Sequence, residues 1–410
     1  MNDQDVYIYD AIRTPRGLGK AAKGDKPGGS LAEIPPQKLI AELVEALRER
    51  APNYESNLDS FALGCVGQVY AQGGHLGLVS RQTAQLPSSV AVQTVNNNCI
   101  SSLTALNNSA AKARDGHDAL HLAGGVECLS QVGFLADQAP YYSDPVLAEQ
   151  IAWTPPVMGA ELIATLNDIS KEQLDELTLV SHQRAAEAWS SGFYDSFVVH
   201  VKDSSGNTLL KRDELIRPTL TKESLCEMPP AFIEQGASGF DAMMLKHYPE
   251  LSEINHVHSF AHCPGLADGA SLSLVGTRQA GEKTGLVPKV RIKTIVETAG
   301  NPVTQLEAGM LAMDMALERS GHQVDDFDCI EFMEAFAAVP AKFVRDYQPD
   351  SQRVNINGGH LAMGHPMGAT GTILIAQCLH QLVQSGGELG LVVGTAGGGL
   401  GAALVLENVS

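Results

Sequence analysis

The chain opens on Val6-Tyr7-Ile8-Tyr9, an apolar and aromatic run ended by the turn-prone Arg13-Thr14-Pro15-Arg16-Gly17 and a loop rich in Gly and Lys, which predicts a first strand. Nothing local says whether that strand is edge or central. Behind Pro36, the apolar positions Leu39, Ile40, Leu43, Val44 and Leu47 recur at the spacing of an amphipathic helix with a charged outer face. Strand-like and helical segments alternate to about Gly125, and the same order returns from about Val290 to Glu407. That alternation predicts α/β layers around largely buried sheets. The small-residue strand ends Leu122-Ala123-Gly124-Gly125-Val126 and Val393-Gly394-Thr395-Ala396-Gly397 suggest two related halves, although this likeness is too slight to establish a duplication.

Residues from about 126 to 255 break the pattern. Pro, Tyr and Trp gather between Pro140 and Pro156, and a helical stretch runs from Ser170 to Ser190, opened by Ser170-Lys171-Glu172-Gln173 with capping-box spacing. This is an excursion from the sheets, and composition leaves a substrate-covering lid and a packing insertion equally open.

Composition narrows the classes. At 410 residues the chain calls for two or three compact units. With 28 Lys+Arg against 47 Asp+Glu, a formal charge of -19 opposes nucleic acid and anionic membranes. Met1 to Asp10 shows no basic region followed by an apolar one, and no apolar run is long enough for a membrane span. Seven scattered cysteines without a CxxC pair argue against a disulfide framework or a metal site and fit reduced thiols in a cytoplasmic protein.

Two segments carry candidate chemistry. Asn96-Asn97-Asn98-Cys99-Ile100-Ser101-Ser102-Leu103 joins the strand-like Ala91-Val92-Gln93-Thr94-Val95 to an alanine-rich helix over Ala105 to Ala113. Cys99 is therefore expected at a helix N-terminus, where a lowered thiol pKa would make it a nucleophile; a buried structural cysteine is the plainer alternative. The second segment, Val354 to Gly371, starts strand-like, passes through a glycine-dense loop holding His360 and His365, and leads to a helix over Thr372 to Gln384. A neutral imidazole there could take a thiol proton, though glycine loops also serve simple turns.

Further motifs share one order along nearly the whole chain. They are Asp10-Ala11-Ile12-Arg13-Thr14-Pro15, the Cys99 turn, Ala123-Gly124-Gly125-Val126-Glu127-Cys128-Leu129-Ser130 and Met158-Gly159-Ala160-Glu161. Ser181-His182-Gln183-Arg184-Ala185-Ala186, Asp213-Glu214-Leu215-Ile216-Arg217-Pro218, Glu334-Ala335-Phe336, Gly364-His365-Pro366 and Gly397-Gly398-Gly399 complete the set. In these the chain resembles the thiolases, which join or cleave acyl-CoA carbon chains; its Cys99-Ile100-Ser101-Ser102 form is closest to the trifunctional beta-subunit branch.

The resemblance implies an α/β thiolase fold, two βαβαβαββ halves in αβαβα layers with an inserted loop domain. Residues 1–125 and 256–277 would form the N-terminal half, 126–255 the loop domain over the CoA site, and 278–410 the C-terminal half. It also implies a cysteine nucleophile at Cys99, an activating base at His365, and an oxyanion hole from the N–H groups of Cys99 and Gly397. Arg217 and Ser224 would contact the nucleotide end of CoA, while Met158, Phe232 and Phe336 would line the pantetheine channel. Acyl-CoA would be the substrate, with no permanently bound cofactor and no metal. The chain would form a homodimer or homotetramer, and a β-oxidation partner subunit is compatible with the family.

The pattern breaks at three places. The family's second catalytic cysteine is Thr395, and the alternative cysteine position before Phe336 is Ala335. The oxyanion Asn or His before Glu334 is Met333, which cannot donate a hydrogen bond. His360 stands where a small residue is usual, and either compensates for Met333 or Thr395 or simply packs. The expected activity is acyl transfer from acyl-CoA through a Cys99 thioester, by 3-ketoacyl-CoA thiolysis or acetyl-CoA condensation. The replacements keep open acyl transfer or thioester hydrolysis without carbon-carbon chemistry, and a non-catalytic acyl-CoA-binding relative.

Overall fold

The structure is a computed structural model that describes residues 5–116 and 118–410, so Met1 to Gln4 of the acidic start lie outside the described residues. The main sheet contains β1 (Val6–Arg13), β2 (Gly17–Leu18), β3 (Leu58–Gly64), β4 (Ala91–Val95) and β5 (Leu120–Cys128). A small hairpin follows, β6 (Val201–Lys202) and β7 (Thr208–Leu210). The main sheet resumes with β8 (Ala267–Thr277), β9 (Val290–Ala299), β10 (Cys329–Phe332), β11 (Leu389–Ala396) and β12 (Leu400–Asn408).

The first half has strand order β4-β3-β5-β8-β1, with β3 parallel to β4 and β5, and β8 antiparallel to β5 and β1. The second half has order β10-β11-β12-β9, with β10 parallel to β11 and the remaining pairs antiparallel. At its outer edge Val354 makes a single parallel bridge to Ile330, where the first half has β4. The strand expected at Val354 is thus reduced to one bridge. With that bridge counted, both halves have the same order and the same strand directions, and β5 and β11, whose ends suggested the duplication, occupy equivalent places. The halves join where Val6, Tyr7 and Ile8 of β1 pair with β9, so the opening strand is central and wholly buried.

Helix placement follows the apolar stripes. Pro36–Arg50 buries Leu39, Ile40, Leu43, Val44 and Leu47 over the outer face of the first half. Ala308–Ser320 covers β9, β11 and β12 on the opposite outside. Between the halves, Ser101–Arg114 and Thr370–Ser385 pack against each other and against the strands. The result is five layers, αβαβα, with the N-termini of the two central helices adjacent. The Thr372 N–H donates to Ser102 Oγ at 3.0 Å across that contact.

The excursion is mainly helical, with Pro156–Leu166 and Lys171–Ser190 as its longest pieces. Ser170 caps the second of these in a full capping box with Gln173. A buried carboxylate anchors the excursion: Asp213 accepts two bonds from the Arg13 guanidinium at 2.8 Å, one from Arg16 N at 2.8 Å and one from Trp189 Nε1 at 3.0 Å. No helix among the described residues is long and apolar enough to cross a membrane.

Candidate active site

Cys99 sits in the turn between β4 and the central helix Ser101–Arg114, as its flanking sequence predicts. Asn98 adopts the left-handed region, with φ of 49°. Ser101 Oγ donates to Asn98 O at 2.6 Å and accepts from Asn97 N at 2.8 Å, which braces the turn. Asn98 Nδ2 donates to Gly397 O at 2.9 Å and so ties this turn to the end of β11. Gly397 and Cys99 line the same cavity.

The expected lowering of the thiol pKa is corrected by the structure. Burial pushes Cys99 up to about 12, the Glu127 carboxylate adds to that, and the N–H groups of Gly397 and Cys99 pull the other way. At rest the residue is a thiol, so nucleophilic attack needs a base to remove its proton.

The loop carrying His365 is held at its backbone. Arg16 donates to Gly364 O at 2.9 Å, His365 N donates to Gly265 O at 2.8 Å, and Gly368 N donates to Glu127 Oε2 at 3.1 Å. His365 Nδ1 meets Thr370 Oγ1 at 2.8 Å, whereas Nε2 is buried without a partner among the described residues. Burial and the Arg16 charge push this imidazole down to about 3, so it is neutral near pH 7. For Nε2 to accept a proton, Nδ1 must carry the ring hydrogen and donate it to Thr370. No hydrogen bond joins either loop histidine to Cys99 among the described residues; the loop reaches the Cys99 cavity through Met367.

His360 lies beside this base, its ring perpendicular to that of His365 with centroids 5.7 Å apart. It is fully buried, and neither ring nitrogen has a partner among the described residues. Thr395 Oγ1 donates to Leu306 O at 2.5 Å, so its hydroxyl is engaged away from any substrate. Met333 is fully buried, and its methyl lies near Gly394, as do the side chains of Ile100 and Leu103.

Cys99 opens into a cavity of about 180 Å³ whose wall includes Phe134, Tyr141, Tyr142 and Trp153 from the excursion, together with Asn98 and Gly397. Residues that sequence reasoning missed organise this place. Glu127 lies at the end of β5 and accepts from Val66 N at 2.9 Å, Gly67 N at 3.0 Å, Gly368 N and Gln72 Nε2 at 2.7 Å, which joins three segments. Gln305 accepts from Gly398 N at 3.1 Å while its Nε2 donates to Thr154 Oγ1 at 2.7 Å. Only Glu127 stood in a recognised motif; nothing in the sequence pointed to Gln305.

The residues expected along CoA separate into two groups. Met158 is buried in one apolar cluster with Phe232 and Phe336 packed against it, and Phe336 takes a φ of 71° at the junction of three such clusters. Phe232 meets Phe260 edge-on at 5.5 Å, and Phe260 shares a second cavity of about 290 Å³ with Arg217. Arg217 is exposed there, its N–H donating to His182 Nδ1 at 3.0 Å. Ser224 stands apart from both cavities; its hydroxyl accepts from Thr221 N at 3.2 Å in the capping box of the short helix Lys222–Cys226.

Comparison with known proteins agrees with this architecture. The thiolase N-terminal domain model matches residues 6–239 and the thiolase C-terminal domain model matches residues 286–408. A 3-ketoacyl-CoA thiolase of Marinomonas sp. (strain MWYL1) is 30% identical, with 100% of each chain covered. A beta-ketoadipyl-CoA thiolase of Pseudomonas aeruginosa is 31% identical over 99% of this chain and 100% of its own. Human mitochondrial 3-ketoacyl-CoA thiolase superposes with a TM-score of 0.84 at 24% identity, covering 99% of each chain, and so shares the fold. With both domain models matched in order on one continuous chain, this protein belongs to the thiolase family.

Proposed function

We propose that this protein is an acyl-CoA C-acyltransferase that works through a Cys99 thioester, by 3-ketoacyl-CoA thiolysis and its reverse, condensation with acetyl-CoA. The observation that carries this reading is Cys99 and Gly397 lining one cavity at the N-termini of the two central helices, with Met367 of the His365 loop in the same wall. His365 Nε2 takes the thiol proton, and Cys99 attacks the 3-keto carbon. The Gly397 and Cys99 N–H groups stabilise the oxyanion, where one such donor is worth roughly 3 to 4 kcal/mol. The C2–C3 bond breaks with its electron pair on C2, and His365 returns the proton there to release acetyl-CoA. CoA then gives its thiol proton to His365, attacks the Cys99 thioester, and the departing thiolate recovers that proton.

His365 serves both halves because the Thr395 hydroxyl is engaged with Leu306 and Met333 offers no donor. His360 supports it in place of the missing groups. CoA lies along Met158, Phe232 and Phe336 with its nucleotide toward Arg217 and Ser224, and residues 126–255 act as the domain over it. The working molecule is a cytoplasmic homodimer or homotetramer.

Intact-protein mass after mixing with acetyl-CoA and longer acyl-CoAs tests the reading, with Cys99→Ala as control and CoA or acetyl-CoA added afterwards. A Cys99-dependent acyl adduct that yields a β-ketoacyl product supports it. An adduct without that product leaves simple acyl transfer, and no adduct at all leaves a binding protein.

A further inference from the structure

The peptide unit that ends at His365 is gripped on both sides. Its N–H donates to Gly265 O at 2.8 Å, and its carbonyl, that of Gly364, accepts from Arg16 Nη1 at 2.9 Å. Gly364 takes a φ of 87°, and a side chain started there would lie 3.0 Å from Ala267 Cβ, so the surrounding structure stands close against this backbone. The backbone that aims the His365 imidazole is therefore fixed by a side chain from the loop that follows β1.

A fully buried cation is costly to desolvate, and Arg16 is one. Burial and the Arg13 charge pull its guanidinium down only to about 10, so it stays charged near pH 7. The second arm of its fork, Nη2, donates to Gln377 Oε1 at 3.0 Å, and Gln377 Nε2 donates in turn to Glu331 Oε2 at 3.0 Å. The main chain of Arg16 is clamped separately. Its N–H donates to Asp213 Oδ1 at 2.8 Å and its carbonyl accepts from Glu214 N at 2.9 Å. The excursion thus holds the backbone of Arg16, and the guanidinium is left to the His365 loop and the central helix Thr370–Ser385, which carries Gln377. Arg13 belongs to the same buried cluster but directs its fork to Asp213 and Thr14 O, with no hydrogen bond to the His365 loop among the described residues.

We propose that Arg16 is a positioning residue for the Cys99 reaction, its guanidinium fixing the Gly364–His365 peptide so that the imidazole reaches the thiol proton. The inference rests on the acyltransferase reading above and adds a residue that lines neither the Cys99 cavity nor the Arg217 cavity. A bond from a charged donor is stronger than a neutral one, and this one acts within the peptide unit that ends at the His365 Cα. The Arg16 charge also opposes protonation of His365, which leaves Nε2 free to accept.

The test follows Cys99 acylation by intact-protein mass, with whichever of acetyl-CoA and the longer acyl-CoAs modifies the parent fastest, and reads the saturating rate and the half-saturating concentration. In Arg16→Met the saturating rate should fall roughly a hundredfold, as a misplacement of about 1 Å at a reacting group can cause, with the half-saturating concentration unchanged. Arg16→Lys, whose ammonium can still donate to Gly364 O, should recover most of that rate. Arg13→Lys disturbs the same charge cluster away from the loop and should lower the melting temperature while keeping the parent rate. If Arg16→Met does not fold, Gln377→Met decides in its place: it releases the second arm of the fork and should give a smaller fall in the saturating rate, again at constant half-saturating concentration.

A parent-like rate in folded Arg16→Met, or in Gln377→Met where Arg16→Met does not fold, would overturn the inference. So would an equal loss of rate in Arg13→Lys, because the cluster would then act only as a structural joint. Both results leave acyl transfer by the parent intact, whereas failure of every acyl-CoA to modify Cys99 in the parent would remove the functional reading beneath.

Discussion

Thr395 shows how one residue separates two steps of the proposed reaction. Its hydroxyl is a poor base near pH 7 and already donates to Leu306 O. Thr395→Val should therefore cost about 1 kcal/mol in stability, the net worth of one hydrogen bond, and leave Cys99 acylation close to the parent rate. Thr395→Cys should raise the condensation rate, by up to about a hundredfold if the thiol acts as the second acid-base group, measured by β-ketoacyl-CoA formation. His360 gives a sharper test because stability and activity are read separately. Replacing its two unpartnered ring nitrogens in His360→Phe should raise the melting temperature, since buried unsatisfied polar groups cost about 1 to 3 kcal/mol each. If the ring supports His365, the same variant loses activity; unchanged activity would leave His360 as packing alone.

At the scale of elements, the site depends on joints that bring three chain segments to one place. A side chain started at Gly125 would lie 2.5 Å from Gly368 O, so β5 and the His365 loop approach at a distance only glycine allows. Glu127, two residues on, accepts N–H groups from both segments it joins. Glu127→Gln sets an amide NH2 against those donors and should cost about 1 to 3 kcal/mol, read as a lower melting temperature and slower Cys99 acylation. The glycines and the carboxylate were legible as a motif. Their partners were not, because Gly368 and Val66 are distant in sequence and a carboxylate does not announce what it will accept.

For the whole molecule, buried imidazoles set the acid limit. Burial pushes His182, His262 and His380 down to about 4 and His365 to about 3, and holds His360 well below the usual histidine value. The unfolded chain takes up protons at these residues below about pH 6.5, and the folded chain does not, so stability falls as pH falls. Each such histidine contributes about 1.4 kcal/mol per pH unit between its unfolded and folded values, and a melting temperature that drops steeply from pH 6.5 to pH 4.5 is the expected outcome. Over the same range the His365 base remains neutral, so kcat/KM should stay flat for as long as the protein remains folded.

The order of strands and helices, the helix start at Pro36 and the helix cap at Ser170, the turn at Cys99 and the glycine loop around His365 were determined by the sequence itself, because each depends on local backbone preference and on the period of apolar positions. The likeness of the two halves was only hinted at by the ends of β5 and β11, and the matching strand order established it. Tertiary structure decided the rest. It made β1 central by pairing it with strands more than 250 residues away, reduced the segment at Val354 to a single bridge, and placed aromatic side chains of the excursion over Cys99. It also reversed the expected thiol shift, because a helix N-terminus acts locally whereas desolvation depends on everything packed around the sulfur.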